Sequence, residues 1–447
     1  MDPSSNRIEP FPSMVGNFFM GDTWLGFLCS SGKVKKDIID FFTEDQWGGE
    51  NMYNTILFDV DGVLLSEKRC FDSTCLSVWE LLYSPQALGL AGDRFDPEPD
   101  DETIERVRQE IFDQEQILHW LKANGVNSNW DMVSLLFGFQ LQELLKEQMK
   151  KRPEWVTAVL KKPVDRKALQ RIGDMIRDEE PAFTPRFGEL RERLKDASAD
   201  GGDLSGQVNR LAEEWSGVRT DVFTHGGPLW QLGREVYQEW YLGRERFESQ
   251  EKKAAVHPEK KGFLEQEIPL VEPEAIGSML KELAKHGITL GIGTGRPALE
   301  TEVPLTALGL WDLFHTDRIA TASDVRAAEK IYPDQAPLGK PHPFTYLKAY
   351  FGRGSSDTKS VAARLPLTGG DRILIVGDSV ADLMAARRMG CRFAAVLTGP
   401  TGQEARGKFE ELEADYILDD VTEVLPLIER LVAEETAETE EKVDEAN

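Results

Sequence analysis

Apolar residues run unbroken through Ile56, Leu57 and Phe58, and the run then meets Asp59-Val60-Asp61-Gly62-Val63. A short apolar stretch of this kind predicts a buried strand of a parallel sheet. From Val63 to Pro269 the apolar positions change to helical spacing. Helices are predicted at 78–90 (ended early by Pro85), 101–124, 127–149, 153–160, 165–176, 187–194, 204–215 and 228–247. Trp230, Tyr237, Trp240 and Tyr241 share the last of these, and aromatics at that spacing are expected to pack a core. No strand pattern interrupts the region. It reads as one helical domain.

Strands and helices begin to alternate at Val271. Strands are predicted at 289–293, 318–322, 373–376, 393–397 and 416–418, and helices at 274–286, 299–308, 344–350, 380–389 and 421–432. Residues 352–370, rich in glycine and serine, predict a loop. The order predicts an α/β fold: a doubly wound, Rossmann-like parallel sheet with right-handed crossovers and a large all-helical cap inserted after the first strand motif. The expected domains are an N-terminal extension (1–51), a core (52–66 and 270–433), the cap (67–269) and an acidic tail (434–447). That tail lacks aromatics and is expected to be disordered.

Charge narrows the partners. With 78 acidic against 52 basic residues the formal net charge is −26, which disfavours nucleic acid and anionic membrane. Any phosphate site must then make its positive potential locally, with a metal or a lysine. The four cysteines, Cys29, Cys70, Cys75 and Cys391, lack zinc-ligand spacing and are too few for a disulfide scaffold, which suits a reducing cytoplasm. Residues 14–29 are apolar, but Asp22 interrupts them and Asp2 sits where a signal peptide would be basic. Neither a secretory signal nor a membrane span is expected. Gly48-Gly49-Glu50-Asn51 ahead of Met52 can be encoded by purine-rich DNA resembling a ribosome-binding site. Met52 is therefore a candidate start, the alternative being a genuine extra segment packed on the core.

Polar residues punctuate the predicted strand ends: Asp59 and Asp61, then Thr294, then Asp378, with Asp382 one helical turn on. Lys340 joins from a loop ahead of a helix. In a parallel sheet these ends share one edge, so residues distant in sequence can converge. Burying acids side by side is costly unless a cation or a shared proton offsets their repulsion. Acids with one lysine and one hydroxyl suit a hard dication such as Mg²⁺ together with a phosphate.

This set resembles the haloacid dehalogenase-like (HAD) hydrolase superfamily. Asp59-Val60-Asp61-Gly62-Val63 is similar to the first motif of that family, Thr294 to the second, Lys340 to the third, and Gly377-Asp378-Ser379-Val380-Ala381-Asp382 to the fourth. Lys340-Pro341-His342-Pro343 looks like the Lys-Pro-x-Pro of the phosphoglycolate phosphatase and β-phosphoglucomutase branch. The resemblance covers residues 55–66 and roughly 270–420. It implies that Asp59 attacks phosphorus and that Asp61 serves as acid and then base. Thr294 and Lys340 would hold the phosphoryl oxygens, and Asp59, Asp378 and the Asp61 carbonyl would bind Mg²⁺, with Asp382 either a further ligand or an orienter. Dehalogenases of the family do not need an acid at position 61, so Asp61 favours phosphoryl transfer.

The expected activity is a Mg²⁺-dependent phosphatase acting on a small phosphorylated metabolite. A β-phosphoglucomutase-like mutase and a non-catalytic regulator binding through the helical insert are the alternatives. The long insert leaves room for a protein partner. It also leaves His225, Gly226, Gly227 and Trp230 as residues that could face substrate, while Arg296 either touches substrate or sits at the surface.

Overall fold

The computed structural model describes residues 52–90, 94–126, 128–178, 182–198 and 204–446. The N-terminal extension, with Cys29 and the question of Met52 as a start, lies outside them. Among the described residues, strand β1 (Thr55–Phe58) is followed by nine helices ahead of Pro273. These are α1 (Lys68–Tyr83), α2 (Asp101–Ile111), α3 (Gln116–Ala123), α4 (Asn129–Met149), α5 (Pro153–Leu160), α6 (Arg166–Ile176), α7 (Glu189–Ser198), α8 (Leu204–Ser216) and α9 (Pro228–Glu251). Then come α10 (Pro273–Lys285), β2 (Thr289–Gly293), α11 (Ala298–Ala307), β3 (Ile319–Ala320), α12 (Ala322–Ile331), α13 (Phe344–Phe351) and α14 (Asp357–Val361). The chain closes with β4 (Ile373–Gly377), α15 (Val380–Met389), β5 (Arg392–Val396), α16 (Arg406–Glu411), β6 (Tyr416–Leu418) and α17 (Val424–Ala446).

The six strands form one all-parallel sheet in the order β3-β2-β1-β4-β5-β6. Alternate residues of each strand face opposite layers. Ile56 and Phe58 pack with Met279, Leu280, Leu427 and Ile428 of α10 and α17, while Leu57 packs with Tyr346, Leu347, Leu383 and Met389 of α13 and α15. The fold is therefore doubly wound, as the alternation predicts. Phe58 is level with Ile292 of β2 and Val376 of β4. The residues just past the ends of these three neighbouring strands consequently meet at one edge.

The insert has a hydrophobic core of its own, built from α1 to α9, in which Trp240 and Tyr241 are buried. Buried charges tie it together: Lys260 lies 3.0 Å from Glu239 and against Glu80, all three side chains being fully enclosed. The chain enters and leaves the insert side by side. Ser66 N–H donates to Ile268 O (2.8 Å) and Leu270 N–H to Leu64 O (3.1 Å).

Four expectations are corrected. Helix α1 begins at Lys68 rather than 78, because Ser73, Thr74 and Ser77 return their hydroxyls to carbonyls four residues back and so satisfy themselves inside a buried helix. The expected helix 101–124 is two, broken by Asp113, Gln114 and Glu115 at φ 49°, 53° and 69°. The third of them turns its carboxylate onto Arg108, with contacts of 2.7 and 3.2 Å. The 352–370 loop holds the short helix α14, and α12 and α16 carry too little periodicity to be foreseen. The acidic tail continues α17 to Ala446, since alanine and glutamate are strong helix formers. Among the described residues no helix is long and apolar enough to cross a membrane.

Helix α9 kinks at Gly243, whose φ is 72°. A Cβ there would lie 2.4 Å from Lys261 O, and one on the facing Gly262 would lie 2.5 Å from Gly243 N. Gly243→Ala is expected to cost about 2 kcal/mol or more, from both the left-handed backbone and the backbone clash. Thermal melting of the two proteins checks this, and an unchanged midpoint would refute it.

Candidate active site

Asp59 follows the last residue of the central strand, and its N–H continues the ladder onto Val376 O at 2.9 Å. Its side chain turns back so that Oδ1 accepts the Val60 N–H at 2.8 Å, which leaves Oδ2 to Lys340 Nζ at 2.8 Å. Lys340 reaches Asp382 Oδ1 at the same distance and lies over the ring of Tyr346, 4.8 Å from its centroid. Carboxylate oxygens of Asp59, Asp378 and Asp382 lie within 4.8 Å of one another. The edge of the sheet thus brings together four of the six residues expected there, three acids around one ammonium.

Asp382 is fully buried and fully engaged. Oδ1 accepts from Tyr346 Oη (2.7 Å) and Lys340, and Oδ2 from Ser379 Oγ (2.6 Å). Ser379 also caps α15 by accepting the Asp382 N–H at 3.2 Å. Asp378 is held differently, by shape. A Cβ on Gly62, where φ is 69°, or on Gly399 would come within 2.1 Å of its Oδ2. These two glycines form a cradle that only hydrogen atoms can line. Thr398 closes it by donating Oγ1–H to Gly62 O at 2.6 Å.

Thr294, just past β2, is wholly buried, and its N–H pairs with Ala320 O at 3.0 Å. Its Oγ1 accepts the Arg296 N–H at 3.1 Å, so the hydroxyl proton is available to another acceptor. Asp61 stands apart from the other acids. Its Oδ1 receives Arg296 through Nε at 2.8 Å and Nη2 at 2.6 Å. Arg296 is 4% exposed, so it is not the surface residue that the sequence left open.

Electrostatics follow from crowding. Burial pushes the Asp59 carboxyl up to about 7, with Asp382 and Asp61 adding to the rise and Lys340 opposing it. Loss of water, then Asp382 and Asp59, hold Asp378 well above the usual carboxylate range. Burial alone would lower the Lys340 ammonium, but Asp382 and Asp59 more than reverse this and raise it. Three carboxylates with one cation leave a deficit of positive charge. The donor set is all oxygen and fits a hard dication.

Beside the cluster lies a cavity of about 410 Å³. Gly62, Thr398, Gly399 and Pro400 line it from the core, and Glu67, Lys68, Phe71, Glu105, Arg108, Glu115 and His119 are among the insert residues facing them. His225, Gly226, Gly227 and Trp230 do not line it; His225 and Trp230 bind Asp131 at the start of α4 instead. Sequence reasoning missed Tyr346, which carries no signal, and gave no role to Ser379 beyond its place in the fourth motif. The Ser-x-x-Asp run of Ser379 and Asp382 is a helix-start signature that could have revealed it.

A HAD-hydrolase-like family model matches residues 337–424, which contain Lys340, Asp378 and Asp382. Among solved structures, an X-ray structure of a Northeast Structural Genomics Consortium target is 37% identical with a TM-score of 0.74, covering 85% of this chain and 99% of its own. One described as a predicted phosphoglycolate phosphatase from Haemophilus somnus is 15% identical with a TM-score of 0.35, covering 85% of this chain and 99% of its own. A HAD-superfamily hydrolase of subfamily IA from Geobacter sulfurreducens is 14% identical with a TM-score of 0.32, covering 86% of this chain and 100% of its own. No curated protein matches the chain.

The raised Asp59 carboxyl has a sign that can be measured. Between the unfolded value of about 4 and its folded value of about 7, the folded protein holds a proton that the unfolded chain has lost. Stability present below the lower value is therefore lost as pH rises through the upper one. In EDTA, Asp59→Asn should gain on the wild type from pH 5 to pH 8, by on the order of 3 °C or more in midpoint. Parallel pH profiles by differential scanning calorimetry would contradict this.

Proposed function

The chain belongs to the HAD-like hydrolases, and on that premise we propose that it is a Mg²⁺-dependent phosphatase of a small phosphate ester. The observation that carries this reading is the convergence of Asp59, Asp378 and Asp382 around Lys340 at the strand ends. A binding-only core has no physical use for such crowded acids, whose burial is unfavourable without a cation. A dication on Asp59, Asp378 and the backbone carbonyl of Asp61 would offset that charge and polarise the phosphoryl oxygens. Asp382, with both oxygens occupied, orients Lys340 rather than taking a place in that set.

Asp59 attacks phosphorus and forms an aspartyl-phosphate, splitting one displacement into two easier steps. Lys340 and the Thr294 hydroxyl bind the phosphoryl oxygens and hold them in line with Asp59. Asp61 gives a proton to the departing alcohol and takes one from the water that hydrolyses the intermediate. Asp59 in its charged form is the nucleophile, and a dication held there would favour that form.

The cavity narrows the substrate. Its acids Glu67, Glu105 and Glu115 outnumber Lys68 and Arg108. Both cations are already paired, Lys68 with Asp72 and Glu105, Arg108 with Asp72 and Glu115. A second anionic group on the substrate would enter without a free counter-charge. The favoured leaving part is therefore a neutral or cationic alcohol, of a size suited to a cavity in the lower range of small-molecule pockets. The same charge pattern weighs against a mutase, whose bisphosphate would need two anion sites.

Phosphate release from a panel of esters, with Mg²⁺ and with EDTA, tests the reading. Mg²⁺-dependent turnover should fall on the order of 10³-fold or more in Asp59→Asn, and esters of neutral alcohols should outrun those carrying a second anion. Release that persists in the variant, or that is absent on every ester, would overturn it.

A further inference from the structure

Arg296 is a group through which the helical insert touches the chemistry of the core. Its five N–H donors are spread over five parts of the chain. Nε and Nη2 both address Oδ1 of Asp61. Nη1 donates to Tyr241 Oη on α9 (3.1 Å), to Glu267 Oε1 on the segment leaving the insert (2.9 Å) and to Glu300 O on α11 (3.3 Å). Nη2 also meets Cys70 Sγ on α1 at 3.8 Å. Tyr241 donates its hydroxyl to Glu267 Oε1, which joins α9 to that returning segment.

We propose that Arg296 is a positioning residue that holds Asp61 for proton transfer and makes the hold depend on the seating of the insert; the inference rests on the phosphatase reading above. Both contacts fall on one oxygen of Asp61. The carboxylate is pinned in one rotamer while Oδ2 keeps its freedom to carry the proton, and the side chain remains 30% exposed on that open side. When the bond between phosphorus and the ester oxygen breaks, the electron pair leaves on that oxygen and takes the proton from Asp61 Oδ2. Asp61 is then a carboxylate already in the grip of a guanidinium, so the charge it acquires is met without rearrangement. In the second step the same carboxylate removes a proton from water as the phosphoryl group leaves Asp59, and the cycle closes.

The fork is not self-supporting. Arg296 lies on the turn after β2, and Tyr241, Glu267 and Cys70 supply the wall against which its guanidinium rests. Moving the insert away would strip three of its partners at once. A buried ion pair is by itself weak evidence for stability, so a purely structural cross-link is an uneconomical use of this arginine.

Leaving-group dependence separates positioning from structure. An alkyl phosphate needs a proton on its departing alcohol, whereas p-nitrophenyl phosphate releases a stable anion that does not. Arg296→Met should lower kcat on an alkyl phosphate from the panel about 10²-fold and on p-nitrophenyl phosphate no more than about fivefold, with little change in KM. Asp61→Asn should show the same asymmetry, and the double variant should add nothing to it. Equal losses on the two esters, or additive losses in the double variant, would overturn the inference while leaving the phosphatase reading in place. No Asp59-dependent release by the wild type from either ester would remove both. Should Arg296→Met fail to fold, Tyr241→Phe makes the same comparison by deleting one hydroxyl. It should show the same asymmetry at about three- to tenfold, and a symmetric loss would again be decisive against it.

Discussion

One ammonium shared among three carboxylates is the constraint on which the catalytic edge depends. Lys340 sits 2.8 Å from both Asp59 and Asp382 and cannot neutralise either completely. The protein meets this in three ways. Asp382 is locked by hydrogen bonds from Tyr346 and Ser379. Asp378 is confined between Gly62 and Gly399. Asp59 takes on a raised affinity for a proton. Each device holds an acid in a place it would leave if free, which is the sense in which the site is preorganised.

The same logic continues outward. Inside the insert, Lys260 is enclosed with Glu80 and Glu239, and its ammonium lies 4.5 Å from the centroid of the Trp240 ring. At the junction, Arg296 is enclosed with Glu267 and reaches out to the partly exposed Asp61. Both are buried cations between two acids, and both join segments that are far apart in sequence. Hydrophobic packing gives each region its own core, while these charged clasps fix the angles at which helices meet. A misplaced buried charge is expensive, so a clasp of this kind tolerates few alternatives.

Much of this architecture is legible in the amino-acid sequence. The apolar run Ile56–Phe58, the strand ends at Thr294 and Asp378, and the lysine ahead of α13 mark the sheet and its edge, because strand burial and strand termination leave direct traces in composition. What stays hidden depends on contacts across long sequence separations. Arg296 has no evident use in its local sequence, because an arginine carries no local sign of burial. Its partners Cys70, Tyr241 and Glu267 are ordinary at their own positions. Helix α1 is hidden for a different reason: its first turns carry Ser73, Thr74 and Ser77, whose hydroxyls are satisfied only once the helix exists. The break between α2 and α3 is illegible too, since Asp113, Gln114 and Glu115 announce no turn yet all adopt positive φ, and Glu115 meets Arg108 only once the chain has turned.

The paired crossing at Ser66 and Ile268 also says something about how such a protein can change over time. Chain that departs and returns through adjacent hydrogen bonds, at Leu64–Ser66 and Ile268–Leu270, presents the core with a loop whose ends are already joined. The entropy of closing a loop grows only with the logarithm of its length, by about 0.6 kcal/mol for each doubling. A hairpin, a small bundle or the present array of helices could therefore occupy this position at nearly the same cost to the sheet. Lineages are free to exchange or enlarge the module at this point, and the sheet edge beneath it need not be rebuilt each time.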